Sequence, residues 1–243
     1  MTEAEWLASK IPRWMFKNLG SVPDNRKLRL LATACCRRLG SLLPPASAAA
    51  LAVNERFADA DATLAELARA RQSADQAYSR AKRGVTRDSP RRGRSDAAWA
   101  VWTAVRQLPD DAEPDQYETR PAEWAAAAVR MVGVALNPST RPVRPAGLEG
   151  GTKEERAIQA VILRDIFGNP FRPVALNSSW RASAAVGLAR TMYESRDFAA
   201  MPILADALEE AGCDSPDMLA HCRDPNGVHV RGCWVVDLVL GKS

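Results

Sequence analysis

No run of apolar residues in this chain approaches the roughly 18 to 20 needed to cross a bilayer, which argues against a membrane-spanning helix. Aromatic residues are scarce, at 6% of 243. Alternating Val/Ile/Thr runs are nearly absent, so the period of two that marks half-buried strands is missing, and apolar residues, many of them alanine, recur instead at spacings of three and four. The expected fold class is all-α, an irregular multi-helix bundle. No motif of fixed period repeats, so nothing supports a regular helical solenoid. A Gly-rich phosphate loop, an HExxH pair and paired carboxylates are also missing, so no enzyme class announces itself and a non-enzymatic protein is favoured. Histidine occurs twice and cysteine five times, an odd number without the spacing of a disulfide framework. With no secretory h-region after Met1, a reducing cytoplasm is the expected setting.

Charge is unevenly distributed. Residues 80–94, RAKRGVTRDSPRRGR, hold seven bases and one acid; of the 33 bases and 29 acids in the chain, that leaves 26 and 28 elsewhere. The net charge of +4 therefore comes from one segment, and the rest is slightly acidic. Residues 84–94 read as an exposed loop. Arg87, Arg91, Arg92 and Arg94 are its candidate nucleic-acid contacts, through phosphate, but no aromatic residue interleaves the segment and no known nucleic-acid motif surrounds it. A solvated loop is the plainer reading.

Helix signals recur along the chain. Thr2 and Glu5 have the capping-box spacing ahead of Trp6 and Leu7, and Pro12 opens a short second helix. Asp24 caps NRKLRLLATACCRRLGSLL, whose stripe is Leu28, Leu31, Cys35 and Leu39. Helices are expected over about 47–58, 61–82 and 121–136, and through Trp99 and Trp102. Residues 137–152, rich in Pro, Gly and Ser, read as a linker between an alanine-rich region 1–136 and a helical region 153–243. In the latter, KEERAIQAVILRDIFG closes at Gly168, a helix runs from Ser178 or Ser179 to about Ser195, and another ends at Gly212. A short helix spans 216–223, and the last covers about 230–240 before Gly241.

Both histidines and three of the cysteines fall between residues 213 and 233. Cys213, Cys222, His229 and Cys233 offer the four thiolate or imidazole ligands of a structural zinc site. No CxxC knuckle accompanies them, and His221 and Cys222, adjacent on a helix, point about 100° apart, so one of the two at most ligates. Plain burial of the thiols is the competing reading. A cysteine nucleophile would need Cys222 or Cys233 with His229 and Asp237. Asp165 and Asp237 sit in apolar helical stripes and need partners there, with Arg164 or Arg172 expected for the first and Arg231 or an arginine from an earlier helix for the second. Cys35 and Cys36 are assigned to core packing.

The strings ILRDIFGNPFRPV, LADALEEAGC and HVRGCWVVDLVLGK, with MTEAEWL and RKLRLLATACCRR at the other end, resemble regions shared by an uncharacterised bacterial protein family. The resemblance covers roughly half of the chain and implies a bacterial cytosolic protein in which the two ends, about 1–45 and 153–243, form one composite unit; it implies no reaction. The leading functional expectation is a helical scaffold that binds a protein partner, with Trp99, Trp102 or Trp124 on an exposed apolar patch. The alternatives are a zinc-stabilised or thiol-active domain and weak nucleic-acid binding through the basic segment.

Overall fold

The structure, a computed structural model, describes residues 1–19, 24–86, 89, 91–105, 121–136 and 152–242. Among them are twelve α-helices and no strand, the all-α class expected from the periodicity. The helices are α1 (Glu3–Ala8), α2 (Pro12–Phe16), α3 (Asn25–Arg37), α4 (Pro45–Ala58), α5 (Leu64–Ala81) and α6 (Arg92–Val105), then α7 (Pro121–Leu136), α8 (Lys153–Phe167), α9 (Ser183–Ser195), α10 (Met201–Glu210), α11 (Pro216–Arg223) and α12 (Trp234–Leu240).

Two compact units divide the chain, one of Met1 with Ala8–Ala160 and one of Thr2–Leu7 with Val161–Ser243. The division falls inside α8. Of the linker read from sequence at 137–152, residues 137–151 lie outside the described residues, and of the N-terminal 45 residues only Thr2–Leu7 go with the second unit. A helix that runs through a unit boundary keeps one unbroken period, so periodicity cannot mark the place.

In the first unit α3 packs against α4, α6 and α7. Asp24 caps it by accepting from the backbone N–H groups of Arg26 and Lys27. It is buried on nearly every side, including Arg29, whose Nη1 donates to Asn54 Oδ1 at 3.0 Å while Asn54 Nδ2 donates to Thr33 Oγ1 at 3.0 Å. Every polar group so buried needs a partner, and this chain of bonds supplies one. The helix stops at Arg37, short of the expected end, because Gly40 takes φ +49° and Gly40–Leu42 tightens into a 3-10 turn. Helix α5 begins at a full capping box, Thr63 and Glu66, a signal that the 61–82 reading passed over.

The second unit packs α9, α10, α11 and α12 round Leu204, Leu208, Met192, Met218, Val235 and Val236. Its last helix starts at Trp234 and not near 230, since Gly232 at φ +97° turns the chain just before it. The stretch read as one helix from Ser178 is a 3-10 turn, Ser178–Trp180, followed by α9. Helix α1 belongs here: the Trp6 indole N–H donates to the Gly168 carbonyl at 3.1 Å, and Arg164 Nη1 donates to the Trp6 carbonyl at 3.2 Å.

Candidate metal centre

Three chain segments of the second unit converge on one point. The last turn of α8 carries Asp165 beside the buried Ile162 and Ile166. Gly168 ends that helix at φ +65°, where a Cβ would lie 3.2 Å from the Trp234 ring, so the left-handed turn and the close approach of Trp234 both call for glycine. Helix α11, capped by Ser215 accepting from Met218 N–H, carries His221 in its last turn. The following turn closes with the Gly227 N–H donating to the Asp224 carbonyl at 3.0 Å and delivers His229. The Cys233 N–H donates to the Val230 carbonyl at 2.9 Å, and Cys233 becomes the residue that precedes α12.

The ligand atoms of Asp165, His221, His229 and Cys233 all lie within 4.8 Å of one another. Asp165 Oδ1 is 2.9 Å from His229 Nδ1 and 3.2 Å from His221 Nε2, and His221 Nε2 is 3.2 Å from Cys233 Sγ. The other carboxylate oxygen, Oδ2, accepts the Val230 backbone N–H at 2.9 Å, which fixes the plane of the Asp165 carboxyl. The two imidazoles meet edge to face with centroids 4.8 Å apart, and Trp234 packs on His221 at 5.3 Å.

Burial pushes the Asp165 carboxyl up, but its bonds to His221 and then His229 outweigh that and hold it below its ordinary 3.8. The Cys233 thiol moves the other way, well above its usual range, by burial and then by the Asp165 charge beside it. Side chains of Asp165, His229 and His221 are 2%, 7% and 20% exposed, and Cys233 is 0% exposed. This buried Asp/His/His/Cys group could hold a metal ion. A tetrahedral zinc site with Zn–N and Zn–O near 2.1 Å and Zn–S near 2.3 Å has ligand–ligand edges of about 3.3–3.7 Å. Three of the six spacings, at 2.9–3.2 Å, fall a few tenths of an ångström short of such edges, and the others lie within 4.8 Å, so the side chains would have to adjust in both directions to enclose an ion.

Two of the four ligands proposed from sequence, His229 and Cys233, are in the group; Cys213 and Cys222 are not. Cys222 is next to His221 on α11, about a hundred degrees round, so with His221 turned to Asp165 the Cys222 thiol enters the apolar cluster of the unit. Its pKa is pushed up to about 12, by burial first and by the Asp165 charge second. Cys213 joins the same cluster, 4% exposed.

Asp165 and His221 take their places. The signal for Asp165 was on the page, a carboxylate in an apolar stripe, but the partners expected for it are otherwise engaged: Arg164 bonds the Trp6 carbonyl, and Arg172 pairs with Glu3. His229 turns to Asp165 and not to Asp237, and Cys233 is wholly buried, without the access that a nucleophile needs. Cys35 and Cys36 are buried core thiols with raised pKa values, from burial first in each case.

In the basic segment, Arg92 and Arg94 lie in α6 and not in a loop, and Arg91 is exposed just before it; Arg87 lies outside the described residues. Trp99 and Trp102 are half-buried, and the Trp124 side chain is not among those described. No helix among the described residues is long and apolar enough to cross a membrane. The chain matches no known family model, no curated protein and no solved structure.

Proposed function

We propose that this protein is a non-enzymatic helical module whose second unit is closed by a structural zinc ion held by Asp165, His221, His229 and Cys233. One observation carries the reading: four ligand atoms of two imidazoles, a thiol and a carboxylate converge within 4.8 Å from segments as far apart in sequence as residues 165 and 233. Two nitrogens, a sulfur and one oxygen suit a borderline ion such as zinc and do not suit calcium or magnesium, which take oxygen. With four protein ligands and little exposure, the site leaves no position for substrate, the mark of a structural rather than catalytic zinc. The ion would tie the end of α8 to α11 and to the start of α12, and its binding free energy would add to the stability of the unit. Five free, buried cysteines accord with a reducing cytoplasm. The scaffold role expected from sequence fits such a module, although Trp99 and Trp102, its expected anchors, are half-buried against Tyr78.

The test is elemental analysis of protein purified under reducing conditions. About one zinc per chain is expected, lost in Asp165→Asn and Cys233→Ser but kept in Cys213→Ser. Metal-free protein whose stability does not change with added zinc would overturn the reading and leave the group as a hydrogen-bonded corner, with Asp165 accepting from both imidazoles and from Val230.

A further inference from the structure

Between Glu5 and Asp24 the chain carries Lys10, Arg13 and Lys17 and no acid, and Trp14, 55% exposed, stands in the middle of that stretch. Helix α2 places them. It opens at Pro12 and buries Pro12 and Met15, and at 3.6 residues per turn Arg13, Lys17 and Trp14 fall within about 100° of one another on the opposite side. Lys10 and Lys17 are exposed and Arg13 is half-buried. The polar backbone of the helix is satisfied locally, with the Trp14 N–H donating to the Ile11 carbonyl at 3.1 Å and Asn18 Nδ2 donating to the Trp14 carbonyl at 2.8 Å. The ring is not: among the described residues no second ring, cation or acceptor meets the Trp14 indole.

Helix α2 packs on α7, which adds a fourth base. Arg130 is half-buried, and burial first and the Arg13 charge second push its guanidinium below the usual arginine range. Among the described residues no acid pairs with Arg13 or with Arg130. Two like charges within range of each other and without a counter-ion cost free energy that an anion bound to both would offset. The face therefore has an anionic partner, and a bare indole lies in the middle of it.

From this juxtaposition we propose that α2 is a peripheral docking surface for an anionic lipid bilayer, with Trp14 in the interfacial layer and Lys10, Arg13, Lys17 and Arg130 on headgroup phosphates. Tryptophan suits that layer because its ring is apolar while its N–H stays wet, and each base near an anionic leaflet adds attraction. A protein partner needs matching shape over roughly 20–30 residues a side, whereas a fluid headgroup layer moulds itself to a small patch. A single-stranded nucleic acid stacks on successive rings, and the described face offers one. All five residues belong to the first unit, so the zinc reading of the second has no bearing on them.

The experiment mixes the full chain with large vesicles of phosphatidylcholine alone, or of phosphatidylcholine and phosphatidylglycerol in equal parts, at low and rising salt. Flotation and tryptophan emission are followed together. Flotation with the anionic vesicles alone, lost as salt rises, and a blue shift of the emission are expected. Lys10→Ala combined with Lys17→Ala should weaken partitioning by roughly 25-fold, about fivefold for each base near the surface. Trp14→Ala should remove the blue shift and leave a weaker flotation that still depends on salt. These three side chains are exposed, so the variants should keep the helical circular dichroism of the parent and report on binding alone. No flotation with the anionic vesicles at low salt would overturn the proposal. So would a double variant that floats like the parent, which would give the binding to bases elsewhere in the chain. An oligo-dT that binds more tightly than the vesicles at equal phosphate concentration would overturn it too, and would make nucleic acid the ligand.

Discussion

Gly227 shows how closely the candidate centre is packed. A Cβ there would lie 2.7 Å from His229 Nε2 and 3.1 Å from the Asp224 carbonyl oxygen. Gly227→Ala must therefore push the imidazole away from Asp165 or open the turn. The expected result is a loss of about 1–3 kcal/mol in urea denaturation together with weaker zinc retention; an unchanged midpoint would mean that the turn yields freely. At the other end of the chain's chemistry, the half-buried Glu66 carboxylate accepts from the Thr63 backbone N–H, the Thr63 hydroxyl and Arg56, and these hold it at about 2, below its ordinary 4.5. Because the folded value is the lower one, the stabilisation is present above pH 4.5 and is lost as pH falls through 2. Glu66→Gln should thus destabilise α5 at pH 7 and converge on the parent as pH approaches 2. Hydrogen exchange of the first turn of α5 at several pH values measures this, and a difference that does not depend on pH would refute it.

Among the elements, α1 is one that cannot stand alone, since six residues fall far below the length at which an isolated helix persists. Trp6, 0% exposed, holds it down, with Asn169 Nδ2 donating to Glu3 Oε1 at 2.6 Å and Arg172 paired to the same carboxylate. Trp6→Ala should destabilise the second unit by about 3–5 kcal/mol and leave residues 2–7 exchanging amide hydrogens at unprotected rates. Protection that survived would show that Glu3 alone is enough. Several helix ends were legible from local chemistry: Asp24 and Ser215 are caps because their oxygens reach the first free N–H groups, and Gly168, Gly212 and Gly241 end helices at positive φ. The start of α12 was not, because Val228 to Arg231 continue the apolar pattern while the chain is drawn aside by the Val230 N–H bond to Asp165 and the turn at Gly232. A contact made across 65 residues leaves no local trace.

For the whole molecule, the division into two units makes chelation informative. If zinc closes the second unit, a chelator should raise hydrogen exchange in residues 2–7 and 161–242 and leave 24–86 as they were; a change spread evenly over the chain would contradict a local site. Thiol titration gives a second reading of the same state. Cys35 and Cys36, 0% exposed in the first unit, should react only on unfolding, whereas Cys233, 0% exposed as well, should become reactive on chelation only if loss of the ion opens the second unit. Simultaneous release of all five thiols by the chelator would mean that both units unfold together.

The sequence by itself determined the helical class, most helix limits, the confinement of positive charge to residues 80–94 and two of the candidate ligands, because each rests on periodicity, capping or composition, which act over a few residues. Only the tertiary structure decided that Asp165 and His221, not Cys213 and Cys222, complete the group, and that Trp99 and Trp102 pack on Tyr78. Ligand sets and binding surfaces depend on which helix faces meet, and that is settled by packing between segments distant in sequence.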